Sequence, residues 1–451
     1  VSKNVIIVGG GLAALAASVY LARAGRTVTI FEKRRQLGGR AITHLRRGFR
    51  FNLGPHAVYR AGAACDVYRE LGVPVRGGRV AVSGTALVDG TRYRLPTSFL
   101  SLLTSGLLSA RAKLEATNIF WRLRKINSKE FASMTTSQWL DANVSNTDLR
   151  RMLEAMIRLA TYSDHPEQQS AAVALDQLRL STRGVIYVDE GWQKLVDALH
   201  SHAVAAGVNF VATSRIVGVE HDGAVRGVEL GGLELEDRND TLSVAMPEMP
   251  PEGVIGTLLK ADTVLLTVDP ATARELVGGV VPIPAMTPVT ATCLDVALSS
   301  LPVPKMKFAL GIDRPLYFSV HSAYAQLTPR GGALIHVAKY RKQRAAIVDD
   351  EIETDEPVRP GDAVAADEQE LEFLLDDLQP GWRDVLVHRR FLPSMTVANV
   401  LVTPSTKRPA VTTPLPGLYL AGDWVGEEGI LSDASLASAR AAAKAILGSD
   451  R

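Results

Sequence analysis

The chain of 451 residues has only two cysteines, Cys65 and Cys293, far apart and in no paired spacing. That excludes a disulfide framework, a zinc site and a redox-active Cys-x-x-Cys pair, and it fits a reducing cytoplasm. An excess of one charge is also missing. Fifty Lys and Arg against 48 Asp and Glu leave a formal net charge of +2, so no general attraction for nucleic acid is expected. Long hydrophobic runs are absent too. Val5 to Val8 precede the first glycines and are too few for a signal-peptide core. The best membrane candidate, Phe99 to Ala110, is about half the length of a spanning helix and runs into Arg111 and Lys113. We expect a cytoplasmic protein. Peripheral contact of residues 99–126 with the inner face of a membrane stays open beside ordinary buried helices. With 46% hydrophobic residues and no low-complexity tract, this length reads as two globular domains.

What is present starts with Val-Ile-Ile-Val (5–8), a β-branched run expected of a strand buried in a parallel sheet. Gly9, Gly11 and Ala14 follow on the GxGxxG/A spacing, and Leu12 to Ala24 has helical periodicity up to Gly25. A second strand, Thr27 to Phe31, ends at Glu32. Gly9 allows the tight turn, Gly11 lets a pyrophosphate reach the backbone, and Ala14 lets the helix lie on the strand. The helix N-terminus offers N–H donors and partial positive charge, and Glu32 can bind a ribose diol. A dinucleotide site follows, and the Glu32 carboxylate argues against a 2′-phosphate.

The next segment separates NAD from FAD. Gly38-Gly39-Arg40 forms a second turn, and Phe49, Phe51 and Leu53 alternate into Gly54-Pro55-His56-Ala57. Near the far end, Leu418 to Ala421 reads as a strand running into Gly422-Asp423 and then Gly429-Ile430-Leu431. With these motifs the chain resembles the flavin amine oxidase, phytoene desaturase and protoporphyrinogen oxidase superfamily, nearest to its phytoene desaturase-like members. The resemblance implies an α/β, overall α+β, fold: a Rossmann-like FAD-binding domain with an inserted sheet-and-helix substrate domain. It implies non-covalent FAD on Gly9 to Ala14 (with Gly10, Leu12 and Ala13), Glu32, Lys33, Gly39 and Arg40, with Arg40 at the pyrophosphate. It places Gly54, Pro55, His56 and Ala57 beside the flavin ring, and the backbone of Val217 at the adenine. Asp423 would contact the ribityl and pyrophosphate region, and Gly429, Ile430 and Leu431 the pyrimidine. Ser432 or Asp433 is expected to cap the last helix. Relatives often carry Asp where Asn52 stands.

The resemblance and the punctuation divide the chain into an FAD domain of residues 1–80, 185–272 and 386–451 and a substrate domain of 81–184 and 273–385. Residues 80–180 read as mostly helical. Ser214 to Leu230 reads as a hairpin around Asp222-Gly223, Lys260 to Pro270 as a buried strand, and Asn239 to Gly256 as a surface insertion. The basic stretch Lys33 to Arg50 and the acidic stretch Asp349 to Asp377 read as solvated faces, with attraction of the basic one to an anionic membrane as the alternative. His321 is read within a strand of the substrate domain. His56 and His321 are candidates for positioning substrate or moving a proton, against a structural role for each.

No second GxGxxG follows a strand, so a built-in NAD(P)H site is not expected, and oxygen or a quinone is the expected electron acceptor. No aromatic pair in residues 387–415 suggests an amine cage. The function read from this is an FAD-dependent oxidoreductase taking hydride from an apolar substrate, with desaturation of an isoprenoid or carotenoid-like lipid first. Oxidation of a porphyrinogen or an amine is the alternative. A different class, the prenyl-binding escort proteins and GDP dissociation inhibitors, shares the fold without redox chemistry.

Overall fold

The computed structural model describes residues 3–80, 84–96, 99–233, 256–342 and 362–449. Its first sheet has five parallel strands in the order Asn209–Val211, Thr27–Phe31, Asn4–Val8, Thr263–Leu266, Leu418–Leu420. The central strands are apolar on both faces because both are covered. On one face the helix Leu12–Arg23 packs against the helices Gln193–Ala205 and Leu431–Gly448. Alanines make that packing close: Ala14, Ala16 and Ala17 on one helix share a core with Ala439, Ala442 and Ala443 on another. The other face is covered by an antiparallel sheet of Ser214–His221, Val225–Leu233 and Thr257–Lys260, whose first two strands form the expected hairpin.

The buried strand expected over 260–270 is shorter, Thr263–Leu266. Its Asp-Pro end instead starts a helix, Pro270–Val277, because the Asp269 carboxylate accepts from the Ala271 and Thr272 N–H groups at 3.0 and 2.9 Å. The insertion expected at 239–256 lies outside the described residues, apart from Gly256.

A seven-stranded sheet forms the second body, in the order Leu386–Ala398, Val289–Leu298, Ala333–Tyr340, Leu316–Val320, Phe308–Gly311, Thr85–Val88, Thr91–Arg94. Three of its strands were not expected there. Residues 85–94 fall in the stretch read as mostly helical, yet Asp89 and Gly90 both adopt positive φ and close a hairpin. Leu386–Ala398, read with the cofactor unit, pairs antiparallel along Val289–Leu298. The helix Asp362–Leu378 covers one face of this sheet, with Leu371 and Leu375 against Val296, Phe318 and Val337. The described part of the acidic stretch is this helix, and its acids face partners rather than water alone. Asp367 binds Lys339 and Arg341 at 2.7 and 2.6 Å, and Glu370 binds Lys339 at 2.6 Å.

Four further helices over Ala110–Leu123, Thr136–Asn143, Thr147–Thr161 and Ala171–Ser181 build a separate apolar core. The run 99–110 is only a short helix, Phe99–Thr104, followed by a break. Among the described residues no helix is long and apolar enough to cross a membrane.

Candidate functional site

At the first turn each glycine has a different physical reason. Gly9 has φ +101°, and a Cβ there would stand 2.8 Å from Thr267 Oγ1. Gly10 would drive a Cβ to 2.5 Å from Leu37, and its N–H donates to Glu32 Oε2 at 2.6 Å. Gly11 differs from both: its φ is −78°, and a Cβ would meet nothing. That open space lies at the start of the helix Leu12–Arg23, whose first residues Leu12, Ala13 and Ala14 are buried. The second glycine turn closes over it. Gly38 N–H donates to Gly10 O at 2.9 Å, and a Cβ on Gly39 would lie 3.7 Å from Gly11 Cα. Glu32 is buried at the end of its strand and accepts from Arg34 N–H through its other oxygen, while Lys33 is exposed. Val217 lies on the strand Ser214–His221, three residues past Ser214, whose N–H donates to Glu32 O; its side chain is 44% exposed.

Arg40 connects this turn to the other end of the chain. Its guanidinium meets the buried Asp423 carboxylate at 2.9 Å and donates to Val397 O at 3.0 Å. Asp423 also accepts from the Asn399 backbone and side-chain N–H groups at 2.9 and 2.8 Å. Gly422 takes φ +152° and is pinned to Ser438 Oγ, while Gly429 and Leu431 both have positive φ. Two motifs almost four hundred residues apart thus form one site.

The last helix begins at Leu431 with Ile430 as its N-cap, and neither Ser432 nor Asp433 caps it. Asp433 lies inside the helix, where its side chain turns to a neighbour: Oδ1 accepts from Ala64 N–H at 2.8 Å, in the first turn of the helix Ala63–Leu71. Gly62 leaves the room, since a Cβ there would collide with that carboxylate. The other oxygen is buried without a hydrogen-bond partner among the described residues, and burial pushes the carboxyl up to about 6. A raised folded-state pKa means that the stability this group contributes is present below about pH 4, its unfolded value, and is lost as pH rises through 6. Asp433→Asn is therefore expected to be more stable than the parent by about 1–2 kcal/mol at pH 8, with the difference closing by pH 4. Urea titrations at the two pH values check it.

Gly54 has φ +75°, and a Cβ on it would run into Met395. Pro55 is buried beside it, and Ala57 is half-buried. His56 faces two carbonyls, Gly54 O from Nδ1 at 3.2 Å and Arg40 O from Nε2 at 3.0 Å, with its ring edge-on to Trp192. Burial lowers its pKa to about 4. At neutral pH the ring is neutral and donates to one of those carbonyls only. Asn52 Oδ1 accepts from Thr43 Oγ1 and Trp192 N–H at 2.7 and 3.0 Å, so an amide serves this corner well.

His321 lies just past the strand Leu316–Val320, in a 3-10 turn, not within the strand as expected. It opens onto a group of residues that sequence reading missed. Register places Arg390, Asp295, His336 and Ser319 side by side on four adjacent strands. Asp295 and His336 are fully buried. Asp295 accepts from His336 Nδ1 at 2.5 Å, Arg390 at 2.6 Å and Cys293 Sγ at 3.1 Å. Burial alone would raise this carboxyl, but His336 and Arg390 outweigh it and hold it well below the usual carboxylate range. The available signal was Asp295 itself, the only charged residue in the ten-residue buried strand Val289–Leu298, because a buried carboxylate requires partners.

A cavity of about 790 Å³ opens between Thr147–Thr161, Ala333–Tyr340 and Asp362–Leu378. Its walls are mostly charged, including Arg158, Lys339, Glu154 and Asp164. Its Tyr340 wall belongs to an apolar and aromatic cluster with Cys293, Tyr317, Tyr162, Phe308 and Met395, and Met395 reaches Gly54.

A family model of flavin containing amine oxidoreductases matches residues 12–291. Among curated proteins, a carotenoid 3,4-desaturase of Haloarcula japonica is 51% identical over 53 residues, covering 12% of this chain and 11% of the relative. The 4,4′-diaponeurosporene oxygenase of Staphylococcus aureus is 37% identical over 54 residues, again 12% and 11%. These matches span about a ninth of each relative's length. Among solved structures, an oxidoreductase from Methanosarcina mazei aligns with a TM-score of 0.72 at 18% identity, covering 98% of this chain and 100% of that one. A triple mutant of putrescine oxidase gives 0.70 at 14%, covering 99% of each chain. A RAB GDI from Plasmodium falciparum gives 0.58 at 13%, covering 98% of each. At such identities structural likeness speaks for the fold alone. The family match covers more than half of the chain, which therefore belongs to the flavin-containing amine oxidoreductases.

Proposed function

We propose that the flavin is FAD, held without a covalent bond, and that the enzyme removes hydride from an apolar substrate of the isoprenoid or carotenoid class. The observation that carries the cofactor reading is the open space at Gly11, between two glycine turns in which Gly9, Gly10 and Gly38 are packed by protein atoms. A pyrophosphate suits that space, with the helix N-terminus and Arg40 to balance its charge. Glu32 would take the ribose, and Val217 would face the adenine with its backbone. Asp423 would set Arg40 in place, while residues 429–431 and 54–57 would flank the ring. When bound, the isoalloxazine accepts a hydride, and the chain supplies orientation and exclusion of water. In this reading residues 1–80, 185–272 and 399–451 carry the cofactor, and residues 81–184 with 273–398 carry the substrate.

The aromatic cluster running from Tyr340 to Met395 supports an apolar substrate, as do the carotenoid substrates named for the two short matches. Exposed Leu103, Leu114 and Trp121 stand among Arg111, Arg124 and Lys125, with Lys125 Nζ 4.8 Å from the Trp121 ring centre. Such a face suits an anionic lipid surface from which a lipophilic substrate could enter. Oxygen or a quinone would reoxidise the flavin. The charged cavity is the observation that favours the second reading, a polar amine.

Purified protein is expected to be yellow and to release FAD on denaturation. Under anaerobic conditions it is expected to bleach with an isoprenoid polyene presented in phosphatidylserine vesicles, and not with a diamine or a porphyrinogen. Release of FMN, or flavin remaining on the denatured chain, overturns the cofactor assignment. Bleaching by the diamine or the porphyrinogen overturns the substrate class. Colourless protein that takes up no added FAD favours a binding role of the GDI kind.

A further inference from the structure

Most of the inner face of the seven-stranded sheet is apolar or aromatic, and one rung across it is not. Arg390, Asp295, His336 and Ser319 follow one another there in register. With Arg390 positive and Asp295 negative, the rung is neutral when His336 is neutral. Asp295 accepts from His336 Nδ1, so that nitrogen carries the proton and Nε2 of the neutral ring holds a lone pair. His336 Nε2 is buried without a hydrogen-bond partner among the described residues.

A second imidazole stands against it. The His321 and His336 ring centres are 4.3 Å apart and nearly perpendicular. His321 Nε2 meets Tyr317 Oη at 3.1 Å, Tyr317 meets Tyr187 Oη at 3.2 Å, and Tyr187 meets Ser319 Oγ at 3.3 Å. His321 Nδ1 is buried and likewise has no hydrogen-bond partner among the described residues. Two adjacent rings, each with one unsatisfied nitrogen and both fully enclosed, form a site with capacity for one more proton. Buried polar atoms in native proteins are nearly all paired, so two such atoms together need an explanation beyond packing.

The rung lies directly under the Gly-Pro loop. Arg390 donates to Asn52 O as well as to Asp295, and Cys293 Sγ, itself bonded to Asp295, would lie 3.6 Å from a Cβ on Gly54. The ionisable groups facing the two imidazoles are Asp295, Cys293, Arg390, Tyr317, Tyr187 and His56. Burial raises the Cys293 thiol and both tyrosines and lowers His56 and His321, which leaves these groups neutral near pH 7. A cation shared by Cys293, Asp295 and His336 would compete with Arg390 for the carboxylate and would need a thiolate that burial opposes, so a metal does not suit the rung.

We propose that His336 and His321, anchored by Asp295, are the proton-holding site of the flavin redox cycle. The proposal rests on the reading that places the flavin beside residues 54–57. Dehydrogenation of two adjacent carbons breaks two C–H bonds. One hydrogen leaves with its electron pair as hydride to the flavin. The other leaves its pair in the new C=C bond and departs as a proton, which the imidazole pair holds. On reoxidation, dioxygen or a quinone receives two electrons and two protons, the second proton from the imidazole pair, giving hydrogen peroxide or the quinol. His336 acts here as a positioning and proton-storing residue. It is not assigned contact with the substrate.

The test is the reduction potential of the bound flavin between pH 5.5 and 8.5, in the wild type and in His336→Gln and His321→Gln. One extra proton per electron pair adds about 30 mV per pH unit to the slope. We expect the wild type to be steeper than His336→Gln by that amount over part of the range, with His321→Gln between them. Equal slopes in the wild type and His336→Gln overturn the proposal. Should the variants not fold, reduced-minus-oxidised infrared spectra of wild-type protein with isotope-labelled histidine give the same answer. A histidine band shifting from imidazole to imidazolium on reduction supports it, and a spectrum without that shift overturns it. Protein that binds no flavin overturns the cofactor reading and this proposal together, whereas bound flavin with equal slopes overturns this proposal alone.

Discussion

Gly11→Val is expected to give a protein that folds normally and carries no flavin. The backbone at Gly11 has φ −78° and ψ −176°, a conformation open to any residue, and a Cβ there would have no atom of the described residues within 4 Å. Gly11 is also the N-cap of the first helix, so losing glycine there costs on the order of 1 kcal/mol at most. The valine methyl groups would occupy the space beside the helix N-terminus. If a pyrophosphate lies there, two or more charge-assisted hydrogen bonds from backbone N–H groups are lost. At about 1.5–3 kcal/mol each, affinity falls by more than about a hundredfold. Gly9→Val is the contrast. Its φ of +101° and the approach to Thr267 make the substitution strained whatever is bound, so stability and flavin should be lost together. Thermal melting and flavin content of the two purified variants distinguish these outcomes. Full flavin in Gly11→Val would mean that the cofactor lies elsewhere.

These two glycines also show why the ends of the chain were legible and the centre was not. The strand, the turn, the helix and Glu32 all fall within the first 32 residues, where spacing along the chain is spacing in space. Asp423 was recognisable because it follows a strand end directly, although its pairing with Arg40 was not. The Asp295–His336–Arg390 rung offers no such local pattern. Its members come from three strands spread over almost a hundred residues, and what joins them is register. A one-residue slip would turn each side chain to the other face, towards the helix Asp362–Leu378. Local signals were also missed or misread. The Asp89-Gly90 turn is a hairpin signal inside a stretch read as helical, and Asp433, read as a cap for its own helix, caps another. In the second case chemistry was read correctly and geometry was not, because the cap is delivered from 369 residues away.

Asp295→Ala should have the largest effect on stability of any single change in the second body, about 3–5 kcal/mol near neutral pH. The carboxylate is fully buried, and its removal leaves the Arg390 guanidinium, only 13% exposed, with Asn52 O as its remaining partner. Asp295→Asn should cost less, because the amide oxygen still accepts one bond. The pH dependence has a definite sign. A carboxyl depressed in the folded state contributes stability that is complete above about pH 4, its unfolded value, and fades as pH falls towards its lower folded value. Urea titrations should therefore show the Ala variant far below the wild type at pH 7, with the gap narrower at pH 3 by about 1 kcal/mol. A gap that stays constant across that range would mean that lost packing, rather than lost charge, sets the penalty. Replacing the whole set separates stability from function further. Buried ion pairs are often no more stable than apolar residues of similar volume, so Asp295→Leu, His336→Leu and Arg390→Met together should recover most of the loss. If the rung served only to fix strand register, flavin chemistry in that triple variant would be unchanged. A triple variant that is stable and binds FAD, yet whose potential follows pH with one proton fewer, would show that these charges are retained for the redox cycle, at no gain to the fold.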